Sequence, residues 1–372
     1  MFSENRQLVG ERELLLTPGP LTTSAETRQA MDRDWASRDE RFIALSESIR
    51  TRLSTLAGVR TTHATVPVQG SGTFAIEAAV GTLVPPAGRL LVAVNGAYGR
   101  RIADIARRIG RLGAVIECAE TETCDVESVR QALINDGTLT DVAVVHCETT
   151  SGILNPLEQI STMVHALGRR LIVDAMSSFG AIPIDGKTIP FTALVASANK
   201  GLEGVPGLGF VIADREHLAN CRGNSISLCL DLWDQWKVLE TTGQWRFTPP
   251  VQVVATLDAA LNQLDREGGV AARHRRYSEN CKVLVEGMTA LGFELMVDAA
   301  VQAPVIVTFR APSVAWFKFE VFYQFLARRG IVIYPGKLTV QPSFRIGCIG
   351  AVSLEDVRRA LGVIEEFVDR NR

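Results

Sequence analysis

The chain has 372 residues, 47% of them hydrophobic and 22% charged, with a formal net charge of -2. That length suggests two domains, and that balance an ordinary globular protein. Without a basic excess, nothing favours nucleic acid or an anionic membrane as a partner, and a phosphate-bearing ligand needs a local site.

The opening stretch MFSENRQLVGERE lacks the apolar core of a signal peptide, and no apolar run is long enough to span a bilayer. The seven cysteines form no CxxC pair. Together these features point to a reducing, cytoplasmic compartment and to no metal site. Next, LLLTPGPLTTS (14–24) reads as an ordered turn, with Thr22, Thr23 or Ser24 capping a helix that carries Glu26 in its first turn. A helix from about Glu40 to Leu56 sets Phe42, Leu45, Ile49, Leu53 and Leu56 on one face. A β-type run then ends at Gln69, and Gly70-Ser71-Gly72-Thr73 opens an apolar helix. Such a turn presents unpaired backbone N–H groups to an anion. Because GSGTFA also fits G-x-G-x-x-A, an NAD(P)-dependent dehydrogenase is the first rival. That rival needs an acid at the end of the next strand, where RLLVAV leads into Asn95-Gly96 instead.

Strands and helices then alternate. Strands are expected at residues 89–95, GAVIECA, DVAVVHCETTSG, LIVDA, TALVASAN and LGFVIAD. Helices are expected from about Tyr98 and over residues 125–135 and 157–167. The alternation predicts an α/β fold with a mostly parallel sheet flanked by helices. After Cys221 the texture changes. SISLCLDLWDQWKVLE reads as a helix, Pro249-Pro250 ends the segment, and helices follow over 252–266 and 271–291. Strands near PVIVTFR, GIVIYPG and SFRIGCI, with helices near 317–329 and 354–371, make a smaller α+β unit. The expected division is a large ligand-binding domain over 1–250, whose segment 1–24 packs at the entrance of the site, and a small domain over 251–372.

Two strand ends carry charge. LIVDA stops just after Asp174, and ALVASANKG just after Lys200. Ligands bind at such ends in open α/β sheets. A carboxylate and an amine there suggest pyridoxal phosphate (PLP), with the lysine as Schiff-base partner and the acid paired to the pyridinium nitrogen. Taken singly, Asp174 is as well explained as a buried strand cap and Lys200 as a solvated charge.

Read together, TPGP, QGSGTFAIEA, NGAYG, HCETTSGILNP, VDAMSSFG, SANKGLEGVPG, WRFTPP, YPGK and FRIGCIG resemble the class V, fold-type I PLP-dependent aminotransferases. The likeness runs from about Leu14 to the last helix. It implies that Lys200 and Asp174 are catalytic, with Asn199 beside the lysine, and that Ser71, Gly72 and Thr73 hold the cofactor phosphate. Tyr98 would stack on the ring, and Thr149 would bond near the ring oxygen. Trp245 and Thr248 would reach the neighbouring subunit's phosphate site, implying a homodimer with shared active sites. Arg345 matches the substrate-anion arginine, with Gly19, Arg38 and Arg41 as weaker candidates for further contacts. A guanidinium fork suits both a carboxylate and a phosphonate. The resemblance implies transfer of an amino group from 2-aminoethylphosphonate to pyruvate. An alanine– or serine–glyoxylate-type aminotransferase is the alternative: DWASRDERF (34–42), expected at the substrate entrance, leans toward it, and Ile226 stands where a basic residue is expected. A cysteine desulfurase would need a histidine where Asn199 stands.

Overall fold

The computed structural model describes residues 13–336 and 340–372. Residues 1–12, on which the signal-peptide reading rests, and Lys337 of YPGK lie outside the described residues. The chain opens with β1 (Leu14–Leu15), α1 (Ala25–Gln29), α2 (Glu40–Leu56), β2 (His63–Gln69) and α3 (Gly72–Leu83). Then come β3 (Leu90–Val94), α4 (Ala97–Arg108), β4 (Leu112–Glu117), α5 (Val126–Asn135), β5 (Asp141–Val145), β6 (Cys147–Glu148), β7 (Ile153–Leu154) and α6 (Leu157–Ala166). β8 (Arg170–Asp174), β9 (Ala193–Ser197), β10 (Leu208–Asp214), α7 (Arg215–Ala219), α8 (Leu232–Thr242), α9 (Val251–Glu267) and α10 (Gly269–Ala290) follow. The last elements are β11 (Ile306–Arg310), α11 (Phe319–Ala327), β12 (Ile331–Val332), β13 (Tyr334–Pro335), β14 (Ser343–Gly347) and α12 (Leu354–Asn371).

A seven-stranded sheet in the order β2-β10-β9-β8-β5-β3-β4 forms the centre of the large unit. β9, β8, β5, β3 and β4 run parallel, whereas β10 is antiparallel to both β9 and β2. β3, β5 and β9 are buried along their whole length, as strands covered on both faces must be. Alternate residues feed two cores. In β5, Val142 and Val144 join one, and Ala143 and Val145 the other. Because the parallel strands all end on one side, their C-terminal edge gathers the loops after β2, β3, β8 and β9.

Two readings of the sequence change. DVAVVHCETTSG is not one strand: β5 stops at Val145, and β6 turns back on β7 as a two-stranded hairpin. The helix expected over SISLCLDLWDQWKVLE begins only at Leu232, because Asp231 takes an extended conformation and its carboxylate accepts from the Asp234 N–H, an N-cap. Upstream, Ser225 and Ser227 bond locally instead, the competition that hydroxyl side chains offer to a helix.

In the smaller unit, β11, β14 and β13 form an antiparallel sheet. Its core contains Phe293, Phe309, Phe322 and Phe344, and it takes in Leu14 and Leu16 from the other end of the chain. β1 reaches it by pairing with β12 in parallel. Among the described residues no helix is long and apolar enough to cross a membrane.

Candidate active site

A cavity of about 320 Å³ opens at the C-terminal edge of the large sheet. Ser71, Gly72 and Thr73 line it from the start of α3, and Tyr98 and Arg101 from the start of α4. Asp174, Ser197, Asn199 and Lys200 line it from the ends of β8 and β9. Seven of the residues picked from the sequence thus share one hollow, although they come from four separate loops.

Each wall has a local cause. Ser71 is the N-cap of α3 in extended conformation but makes no side-chain capping bond, so the first N–H groups of that helix remain available at the cavity. α4 is held by a carboxylate from behind: Glu148 accepts from Tyr98 N at 3.1 Å and Gly99 N at 3.3 Å, and its other oxygen accepts from Thr150. Gly96 makes this approach possible, since a Cβ there would stand 2.4 Å from the Glu148 carboxyl carbon. Burial pushes the Glu148 carboxyl above its ordinary range, against the hydrogen bonds that lower it.

Asp174 is buried at the end of β8, and burial raises its carboxyl to about 7. The Met176 N–H, donated at 2.9 Å, and the charges of Arg101 and Lys200 pull the other way, while Glu148 adds to the rise. Beneath it, the His146 N–H donates to the Asp174 carbonyl, and His146 Nδ1 meets Ser178 Oγ at 3.0 Å. Burial lowers that imidazole to about 4, so it is neutral at pH 7.

Lys200 Nζ donates to the Pro18 carbonyl at 2.6 Å and to that of Gly19 at 3.1 Å. The Pro-Gly-Pro turn is thus the roof over the lysine. Gly19 has φ of +106°, and a Cβ there would lie 2.6 Å from the Asn199 carbonyl, so only glycine fits. The loop after the lysine is anchored by Glu203, whose φ of +63° is the left-handed region. Its buried carboxylate accepts from Gln263, Arg276 and Tyr277, and Arg273 donates to the Gly201 carbonyl.

Arg345, on β14, is 5% exposed and does not line the cavity itself. Its Nη1 donates to the Thr149 carbonyl and its Nε to that of Pro335, both at 3.1 Å. Burial lowers the guanidinium, and a hydrogen bond with the Tyr98 side chain counters that. Tyr98 thereby links Arg345 to the cavity.

Other expected residues lie elsewhere. Thr149 is buried behind Arg345, outside the cavity lining. Trp245 donates to Ser46 Oγ at 2.7 Å and faces a second, larger hollow of about 590 Å³ that meets the first at Gly70. Thr248 is exposed. Arg38 is exposed, and Arg41 is ion-paired with Asp39 on the surface. Within 34–42, Trp35 and Phe42 pack on each other, and none of the segment lines the cavity. Ile226, the position expected to be basic, is 74% exposed.

Sequence reasoning missed Arg101, Ser197 and His146. Arg101 had a usable signal: it follows Tyr98 by three residues on one helix, hence on the same face. Ser197 had none, being one more small residue in a buried strand.

The cavity fits PLP. Ser197 Oγ is buried on its wall with no hydrogen-bond partner among the described residues. Asp174 supplies a carboxyl for a ring nitrogen, the α3 N-terminus supplies N–H donors for a phosphate, and Lys200 supplies a primary amine.

A family model described as aminotransferase class-V matches residues 23–360. A relative from Burkholderia lata named 2-aminoethylphosphonate–pyruvate transaminase 2 is 53% identical over 360 residues, which cover 94% of this chain and 96% of the relative. A 2-aminoethylphosphonate–pyruvate transaminase of Pseudomonas putida is 50% identical over 355 residues, covering 95% and 96%. Among solved structures, the pyridoxamine–pyruvate aminotransferase of Mesorhizobium loti superposes with a TM-score of 0.89 at 26% identity, over 97% of this chain and 93% of that one. The alanine–glyoxylate aminotransferase of Nostoc sp. gives the same TM-score and identity over 98% of each chain.

Proposed function

The chain belongs to the class-V aminotransferases, and on that premise we propose that it moves the amino group of 2-aminoethylphosphonate to pyruvate, giving phosphonoacetaldehyde and L-alanine. The observation that carries this reading is the meeting of Lys200 and Asp174 on one cavity with an open helix N-terminus. The names of relatives at 50% and 53% identity support the choice of substrates.

PLP is the cofactor in this reading; when bound, it supplies the electron sink that makes a carbon beside the amino group acidic. The residues do the rest. Ser71, Gly72 and Thr73 would hold the phosphate through N–H groups and hydroxyls, Tyr98 would pack against the ring, and the Asp174 carboxylate would keep the ring nitrogen protonated. Lys200 Nζ takes and returns a proton at the substrate carbon, a general acid–base role for a positioned amine. The Pro18 and Gly19 carbonyls aim it. Arg345 orients the phosphonate of the donor and the carboxylate of the acceptor, one fork serving both.

The reading includes a homodimer with shared sites. Phe74 and Phe247 are exposed on the second hollow, an apolar surface that a neighbouring subunit would cover. Trp245 and Thr248 would then serve the partner's phosphate site. We place the protein in the cytoplasm, in keeping with seven free thiols.

Purified protein, PLP and both substrates should yield alanine and phosphonoacetaldehyde in equal amounts. A visible cofactor band should be bleached by borohydride and missing from Lys200→Ala, with turnover abolished. Arg345→Ala should raise KM for both substrates; unchanged kinetics would remove it from the site. Amine uptake from alanine or serine but none from 2-aminoethylphosphonate would overturn the assigned donor.

A further inference from the structure

We propose that Arg101 is the cationic ligand of the cofactor's phosphate, an inference that rests on reading the cavity as a PLP site. The phosphate holders picked from the sequence are neutral: backbone N–H groups and the hydroxyls of Ser71 and Thr73. A phosphate group carries about -1.5 to -2 charges near pH 7, in a chain whose own net charge is -2. Arg101 answers that mismatch. Its Nη1 donates to Thr73 Oγ1 at 3.1 Å, on the helix turn where the phosphate would sit. Its guanidinium carbon lies 5.0 Å from the centre of the Tyr98 ring, and it lines the same cavity.

The charge environment separates Arg101 from Arg273 and Arg276. Arg273 and Arg276 meet Glu203 and Glu267 in a closed cluster. Half-buried Arg101 forms no ion pair among the described residues and has hydroxyl and aromatic neighbours instead. The carboxyl it acts on across the cavity is Asp174, and a phosphate at the Thr73 turn would give it a direct ionic hydrogen bond as well. A guanidinium beside a helix N-terminus combines the two devices that bind phosphate best, the planar fork and the aligned N–H dipoles.

Cofactor-free protein titrated with PLP, and separately with pyridoxal, which lacks the phosphate, tests the assignment by absorbance alone. Arg101→Gln should raise Kd for PLP about tenfold to a hundredfold, the loss expected for a charge-assisted hydrogen bond. Kd for pyridoxal should stay within about twofold, and Arg101→Lys should restore part of the loss by keeping the charge without the fork. Inorganic phosphate should protect wild-type protein against heat more than Arg101→Gln. Equal losses for both ligands, or an unchanged Kd for PLP, would overturn the assignment. So would an effect confined to KM for 2-aminoethylphosphonate, which would put Arg101 on the substrate's anion. Wild-type protein that binds neither ligand would refute the cofactor reading itself, and the Arg101 role with it.

Discussion

Asp174 and His146 are joined through one backbone hydrogen bond, yet burial drives their titrations in opposite directions. Asp174 is raised from 3.8 to about 7, so between those values the folded protein keeps a proton that the unfolded chain has released. Its contribution to stability is present below pH 3.8 and is lost as pH rises through about 7. His146 is lowered from 6.5 to about 4, so between those values the unfolded chain binds the extra proton, and stability falls as pH drops. In cofactor-free protein the two slopes oppose each other over most of this range. Asp174→Asn should therefore gain stability relative to wild type as pH rises from about 4 to 7, on the order of 4 kcal/mol in all. His146→Gln should gain, relative to wild type, as pH falls from 6.5 to about 4. Urea midpoints measured across pH check both signs; parallel curves for variant and wild type would exclude the titrations. The same pair shows what a sequence reveals of a site. Asp174 stood at a legible strand end, whereas His146 precedes Cys147 in a segment that reads as plain strand, and only the β5–β8 register, which pairs Val145 with Asp174, puts it under the acid.

At the level of elements, β14 is where packing meets chemistry. Phe344 is fully buried, with the rings of Phe293, Phe309 and Phe322 centred 5.4 to 5.6 Å away, and the next residue is Arg345. Phe344→Ala should destabilise by about 3–5 kcal/mol. Because β14 sets the guanidinium, KM should rise more than kcat falls in the protein that remains folded. Denaturant unfolding and steady-state kinetics check the two halves of this prediction. Elements with a clear period and a cap were legible in the sequence. α2 runs over the residues its apolar spacing marked, and Ser24, one of three candidate caps, does cap α1. The start of α8 was not legible, since apolar Ile226, Leu228 and Leu230 run up to Asp231, which caps the helix instead of lying inside it. Nor was β10's direction: LGFVIAD is as apolar as its parallel neighbours, and only pairing shows that it runs the other way.

For the whole molecule, exposed apolar surface and the shape of the chain both matter. Phe247→Asp should weaken association, taking light-scattering mass from twice 40.4 kDa toward 40.4 kDa, and should lower cofactor affinity in step if the sites are shared. A dimer that persists with unaltered cofactor binding would move the interface elsewhere. The β1 pairing has a different kind of consequence. Leu14 and Leu15 align with Ile331 and Val332, and Leu16 accepts from Gly347 N, which together carry Pro18 and Gly19 over Lys200. The large sheet needs nothing beyond Asp214 for its seven strands, but the roof over its lysine hangs from residues made more than a hundred positions later. Contacts this far apart in sequence form slowly, so the roof over Lys200 should close after the seven strands have paired.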